Sequence, residues 1–321
     1  MPLKLQPATS AWDEQIVALF TDLDVTVDPR FWERAFSPEA PEGTTSTPLL
    51  VVENDELLVG YAAARPLELF VETEFVPAQV LHDFVLRPGE HAKDAGAMLL
   101  ADFARRADIT LCGGAGLEPA AVLGRENFHL AGYFGRAVFD PAKATAQKTA
   151  TLPLQLERPE NSLAGLPLDH LNDCLRTERK VFRRRTGALL EWLFRGPAAG
   201  EFELLVAHEH TDLHAYAVLR TTPGRAGPEL NLVDAACPSV DAPRLARALA
   251  GIASTRALPL YVTLFGESWT AAFSEAGFAP LRPRWPLHWI LRDPRQRAMG
   301  ITLLRREAWF LTAADADLDH W

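Results

Sequence analysis

Cysteine is scarce in this chain. Three residues, Cys112, Cys174 and Cys237, stand far apart and form no C-x-x-C pair. That spacing argues against a disulfide framework and a cysteine-built zinc site, and it fits a reducing compartment. Positive charge is outweighed: 32 Lys and Arg face 42 Asp and Glu, a net charge of −10. Polyanions are repelled by such a surface, so nucleic acid and anionic membranes are disfavoured as main partners. No apolar run reaches the 18 residues of a membrane span, and no basic-then-apolar leader is seen. A cytoplasmic protein with no membrane partner is expected.

What is present suffices for two cores. The chain has 321 residues, 48% of them hydrophobic, and single cores stop growing near about 250–300 residues. The sequence also repeats itself. Residues 49–65, "LLVVENDELLVGYAAAR", read as a β-hairpin around a polar turn, and residues 202–220, "FELLVAHEHTDLHAYAVLR", read the same way. Strands then follow with an inner aspartate, Asp83 in "VLHDFVLRP" and Asp234 in "LNLVDAACP", each ending at a proline. After each comes a helical stripe: Gly96, Leu99, Leu100 and Phe103, then Leu245, Ala248, Leu249 and Ile252. Short strands come next (109–114 and 258–266), then a helix ending in Phe-x-x-x-Gly-aromatic, with Gly132 and Gly277 as left-handed caps. Strands at 133–140 and 286–293 close the two halves. Upstream, "RFWERAFSP" (30–38) and "LLEWLFRGP" (189–197) are alike. The composition shift at 141–165 sets expected domains of 1–150 and 151–321.

This order is an α+β design, and it resembles two tandem domains of the GNAT N-acyltransferase superfamily, each a mixed, largely antiparallel sheet flanked by helices. The family loop is Gln/Arg-x-x-Gly-x-Gly/Ala, and its amides cradle a coenzyme A diphosphate. Counting back from Leu99 puts Gly96 at the last glycine, Asp94 at the first and His91 at the Gln/Arg place. The resemblance therefore implies an acyl-coenzyme A site, acetyl-coenzyme A above all, at Phe84, Val85, His91, Lys93, Asp94, Ala95, Gly96 and Ala97. It implies transfer to an amine of a small molecule or sugar, and leaves a homodimer open. Asp94 opposes an anion, and the second half has no glycine in "CPSVDAPRLARAL", so a non-catalytic binding or scaffold protein is the rival reading. A third is a transferase using aminoacyl-tRNA, with the basic "RTERKVFRRR" (176–185) as its RNA contact. As a helical stretch, that segment also reads as a solvated face.

Candidate bases are Asp83, His82 and Asp234. Strand alternation puts His82 and Asp83 on opposite faces, so one of them points at the cleft. The family's helix tyrosine, a proton donor to the leaving thiolate, is replaced by Phe128 and Phe273. Trp269 is a candidate for the cleft wall. His208, His210 and His214 gather at a hairpin turn, and "DADLD" (315–319) imitates the start of a calcium loop, but neither pattern is complete, and no metal is expected.

Overall fold

The computed structural model describes residues 2–23, 45–114, 117–143, 152–159, 165, 168–195, 202–209, 212–224, 226–283 and 285–316. The Trp-bearing segment at 30–38 lies outside them, as does His210. The first half runs β1 (Leu3–Pro7), α1 (Asp13–Asp22), β2 (Thr47–Glu53), β3 (Leu57–Val71), β4 (Glu74–Leu86), α2 (Ala92–Phe103), β5 (Ile109–Gly113), α3 (Leu117–Arg125), β6 (His129–Tyr133) and β7 (Gly135–Phe139). The second half runs α4 (Asp169–Glu178), β8 (Val181–Arg183), α5 (Gly187–Arg195), β9 (Phe202–Glu209), β10 (Asp212–Gly224), β11 (Gly227–Ala236), α6 (Ala242–Arg256), β12 (Leu260–Phe265), α7 (Glu267–Glu275), β13 (Ala279–Leu281), β14 (Pro286–Leu291), α8 (Arg297–Leu303) and β15 (Trp309–Thr312).

Each half builds the same unit. An antiparallel meander, β1-β2-β3-β4 or β9-β10-β11, leads through a helix to a parallel partner, β5 beside β4 and β12 beside β11. The helix exists because one face is apolar at three- and four-residue spacing: Ala95, Gly96, Leu99, Leu100 and Phe103 of α2 are buried. Removing Leu99, Leu100 and Phe103 from water contributes about 1.5–3 kcal/mol each. The glycine in this row is a packing residue. A Cβ at Gly96 would meet Leu86 Cδ1 at 3.0 Å and Val122 Cγ1 at 3.1 Å.

The closing strands change places, which differs from the sequence expectation that each seals its own half. β14 lies between β5 and β6 in the first sheet, and β7 lies between β12 and β13 in the second. Residues preceding α4 also belong to the second sheet, where Glu157 bridges Val206. The two sheets join into one through β8 and β15: β8 pairs the far end of β3, and β15 pairs β8 on one side and β12 on the other. Gly266 permits that approach, since a Cβ there would stand 2.9 Å from the Trp309 carbonyl oxygen.

The helix ends also correct the reading of the repeat. α3 stops at Arg125, and Gly132 lies in β6. The left-handed cap is Asn127, with φ +63°, and Phe128 N–H reaches back to the Leu123 carbonyl. Gly277, with φ +93°, does the same work after α7, where Phe278 N–H reaches Phe273. Asn127 therefore matches Gly277, and Leu123, rather than Phe128, matches Phe273.

His288 sits on the exchanged strand β14 opposite Cys112, with its Nδ1 buried and unpartnered among the described residues. Burial pushes the imidazole below its ordinary 6.5. The unfolded chain thus takes up the proton first as pH falls, and folding stability falls with it below about pH 6.5. For one group the slope is at most about 1.4 kcal/mol per pH unit. Denaturant titrations from pH 7 to 5 are expected to show this loss, and His288→Leu is expected to flatten it. Among the described residues no helix is long and apolar enough to cross a membrane.

Candidate functional site

The first sheet opens into a fork. The parallel ladder between β4 and β5 ends at Leu81 and Cys112, yet β4 continues to Leu86. Among the described residues β4 has no strand partner on the β5 side past Leu81. His82 is the first residue of this free edge.

A bulge follows at once. On β3, Ala63 faces His82 and Tyr61 faces Val85, so β4 carries one residue too many between those pairs. Asp83 absorbs it with a left-handed φ of +52°, a conformation aspartate tolerates better than most residues. The bulge defeats the expected alternation. His82 and Asp83 do not part to opposite faces: His82 Nδ1 lies 2.8 Å from Asp83 Oδ2. Sequence reasoning also missed Ser46, whose Oγ lies 2.9 Å from His82 Nε2. It stands 36 residues upstream of His82, and only the pairing of β2, β3 and β4 brings it near.

Beyond the bulge the candidate residues divide. Val85 packs with Ile16, Leu19 and Phe20 of α1, whereas Phe84 packs toward α2. Lys93 and Asp94 are exposed in the first turn of α2, and His91 precedes it. Among the described residues no side chain caps this helix. Among the described residues the amides of Lys93 and Asp94 have no hydrogen-bond partner, while Ala95 N–H reaches the His91 carbonyl. His91 Nε2 lies 3.6 Å from Glu53 Oε1. Ala95 and Gly96 face the core, and Ala97 is half-buried. Thus Gly96 serves helix packing, and the donors offered at the helix mouth belong to Lys93 and Asp94. A helix N-terminus of this kind attracts an anion by its dipole and its unpaired amides.

The second half offers the same frame, closed. Its parallel ladder ends at Leu232 and Val262, and β15 then takes the vacated side of β12, with Thr312 opposite Leu264. Asp234, the register equivalent of Asp83, is buried and engaged. It accepts from Thr312 Oγ1 at 2.8 Å, Tyr216 Oη at 2.8 Å and Arg185 Nη2 at 3.2 Å. Arg185, 1% exposed, also donates to Asp315 Oδ2 at 2.8 Å. Burial opposes its charge, but Asp315, Tyr216 and Asp234 more than offset that, so its pKa rises. The mouth of α6 is filled as well: Glu178 Oε2 accepts the Ser239 amide at 2.7 Å, and Asp241 lies 2.6 Å from His214 Nε2.

Several expectations are thereby corrected. The basic run at 176–185 is no helical solvated face. It ends α4 and forms β8, and Arg183 and Arg185 are buried because carboxylates from β11 and from the turn after β15 surround them. Of its other arginines, Arg176 and Arg184 pair at the surface with Asp173 and Glu68. Trp269 does not line the cleft: it stacks on Phe310 and Phe273 in the core. His214 Nε2 lies 2.6 Å from Asp241 Oδ2, and the described residues hold no cluster able to bind a metal. Asp315 spends its carboxylate on arginines.

No protein-family model matches the sequence, and no curated protein matches it. Solved structures do. A GCN5-related N-acetyltransferase from Anabaena variabilis superposes with a TM-score of 0.66 at 12% identity, covering 91% of this chain and 73% of that one. N-myristoyltransferase from Saccharomyces cerevisiae, solved with myristoyl-CoA and inhibitors, gives 0.63 at 11% identity, covering 91% and 81%. A GCN5-related N-acetyltransferase from Kribbella flavida gives 0.60 at 16% identity, covering 91% and 72%. The open and the closed fork thus sit in an α+β chain with the fold of the GCN5-related N-acetyltransferases and of N-myristoyltransferase.

Proposed function

We propose that the protein transfers an acetyl or related acyl group from coenzyme A to an amine of a small molecule or sugar, at the fork between β4 and β5. One observation carries this reading: of two equivalent forks, the first keeps, among the described residues, an unpaired strand edge and free amides at its helix mouth, while in the second β15 takes the edge and Asp234 is engaged by Arg185, Tyr216 and Thr312. The residues of the first fork fit a diphosphate-bearing thioester. The amides of Lys93 and Asp94 and the Lys93 ammonium meet the diphosphate, and the free edge of β4 meets the pantetheine amides. The net charge of −10 favours a small acceptor over a polyanion.

The chemistry asks three things of the site. The amine must shed a proton, the carbonyl must be polarised, and the thiolate must depart. His82 and Asp83 stand at the start of the free edge and serve as the base. Leu123 and Phe273, in the place of the family's helix tyrosine, give no proton, so the thiolate leaves as such or is protonated by the base. Asp234 takes no part, because its oxygens are committed to Arg185, Tyr216 and Thr312.

Calorimetric titration with acetyl-coenzyme A tests the reading. Saturable binding is expected. Lys93→Glu reverses a charge at the helix mouth without touching the core, and is expected to weaken binding by about tenfold or more. Asp94→Gly removes a repelling carboxylate and is expected to tighten it by about two- to fivefold, the worth of about 0.3–1 kcal/mol at a helix end. No binding at millimolar coenzyme would instead support a binding scaffold.

A further inference from the structure

Ser46, His82 and Asp83 form a continuous hydrogen-bonded row. Oγ of Ser46 lies 2.9 Å from Nε2, and Nδ1 lies 2.8 Å from Asp83 Oδ2. Ser46 and His82 are each 5% exposed, and the row meets solvent at the Asp83 carboxylate, whose side chain is 14% exposed. With the Nδ1 proton donated to Asp83 Oδ2, the Nε2 lone pair faces the serine hydroxyl. A hydroxyl can donate to a neutral imidazole and turn to accept from a charged one, so this pairing serves both protonation states. In the second half Val233 takes the place of His82, and Asp234 turns to Arg185.

We propose that Ser46 is the proton entry of this row, so that serine, imidazole and carboxylate act as one base. The proposal rests on the transferase reading above. As the amine nitrogen forms its bond to the thioester carbonyl carbon, its proton passes to Ser46 Oγ, and the Oγ proton passes to His82 Nε2. Asp83 balances the imidazolium. When the carbon–sulfur bond breaks, the thiolate keeps the electron pair, and the proton returns to it from Nε2 through the same hydroxyl. Neither serine nor histidine is left changed, and no covalent acyl-serine forms. Tyr61 of β3 feels the charge of Asp83, and its hydroxyl is pushed up by burial and by Asp83 and Asp13; Arg65 of the same strand donates to the Ala314 carbonyl.

Two measurements on the full chain test this. Proton-detected NMR titration of His82 needs no substrate. Ser46→Ala removes a hydrogen-bond acceptor of the buried imidazolium, so His82 is expected to titrate at lower pH than in the parent, and Ser46→Thr is expected to restore the parent value. In acetyl-coenzyme A turnover with a panel of small amines, Ser46→Ala is expected to lower kcat by about 10- to 100-fold. It should displace the pH profile and leave KM for the coenzyme unchanged, with Ser46→Thr recovering most of the rate. An unmoved His82 titration in Ser46→Ala, or an unmoved pH profile, overturns the proposal. So does a serine-linked acetyl group found by mass spectrometry after incubation without an amine, which would make Ser46 a nucleophile. Failure of coenzyme binding in the calorimeter sinks the transferase reading separately, and the NMR result stands apart from it.

Discussion

Arg185→Ala is expected to lower folding stability by about 3–5 kcal/mol, a large part of a total that is typically about 5–15 kcal/mol. The cause is the company this arginine keeps. Its guanidinium donates to Asp234, Asp315 and Tyr216, and its Nη1 donates to the Arg183 carbonyl at 2.9 Å. Removing it strands two carboxylates in a region closed to water, with Arg183 Nη1 left 3.6 Å from Asp315 Oδ1 as the main compensation. Breaking a buried pair from one side costs far more than replacing the whole pair with apolar groups. Urea denaturation measures the effect, and a loss below about 1 kcal/mol would mean the network is solvated. Exposed pairs such as Lys4 with Asp55 are expected to be worth under about 1 kcal/mol in the same assay.

The second large effect concerns division of the chain. A fragment of residues 1–150 is expected not to fold alone, and neither is one of residues 151–321. Without β14, the first fragment loses Leu287 and Trp289 from a cluster that holds Val80, Ile109 and Leu111, and β5 becomes a bare edge. Without β7, the second loses the partner that separates β12 from β13. Produced together, the fragments are expected to bind each other and recover helical and strand signal in circular dichroism. A compact monomer of either fragment in size-exclusion chromatography would contradict this.

Much of the architecture was legible in the residues. Hairpin, aspartate-bearing strand, helix and short parallel strand all carry local signals, namely alternation, turn residues and a three-four apolar stripe. The exchange of β7 and β14 carries none. A strand such as "PLHWIL" shows that it will be covered on both faces, but not which sheet will cover it. β8 escaped notice because three residues, Val181, Phe182 and Arg183, are too few for any period to register. The alternation rule failed at His82 and Asp83 because it presumes an unbroken ladder, and the extra residue of a bulge resets it. The sequence marks Gly96 through the loop pattern alone; the structure adds a packing reason for it, since a Cβ there would press on Leu86 and Val122. Ser46 had no local mark at all, lying in a short polar stretch before a strand.

The place of β14 ties the two halves in a further way. It forms the outer wall of β5, so a molecule wedging β4 from β5 pushes on a segment whose next strand upstream, β13, is built into the other sheet. Affinity in one half and cohesion of the other therefore share one free-energy account. Loosening β13 from β7 should be felt as a change in ligand affinity at a fork it never touches, and a bound ligand should in turn slow hydrogen exchange in β13.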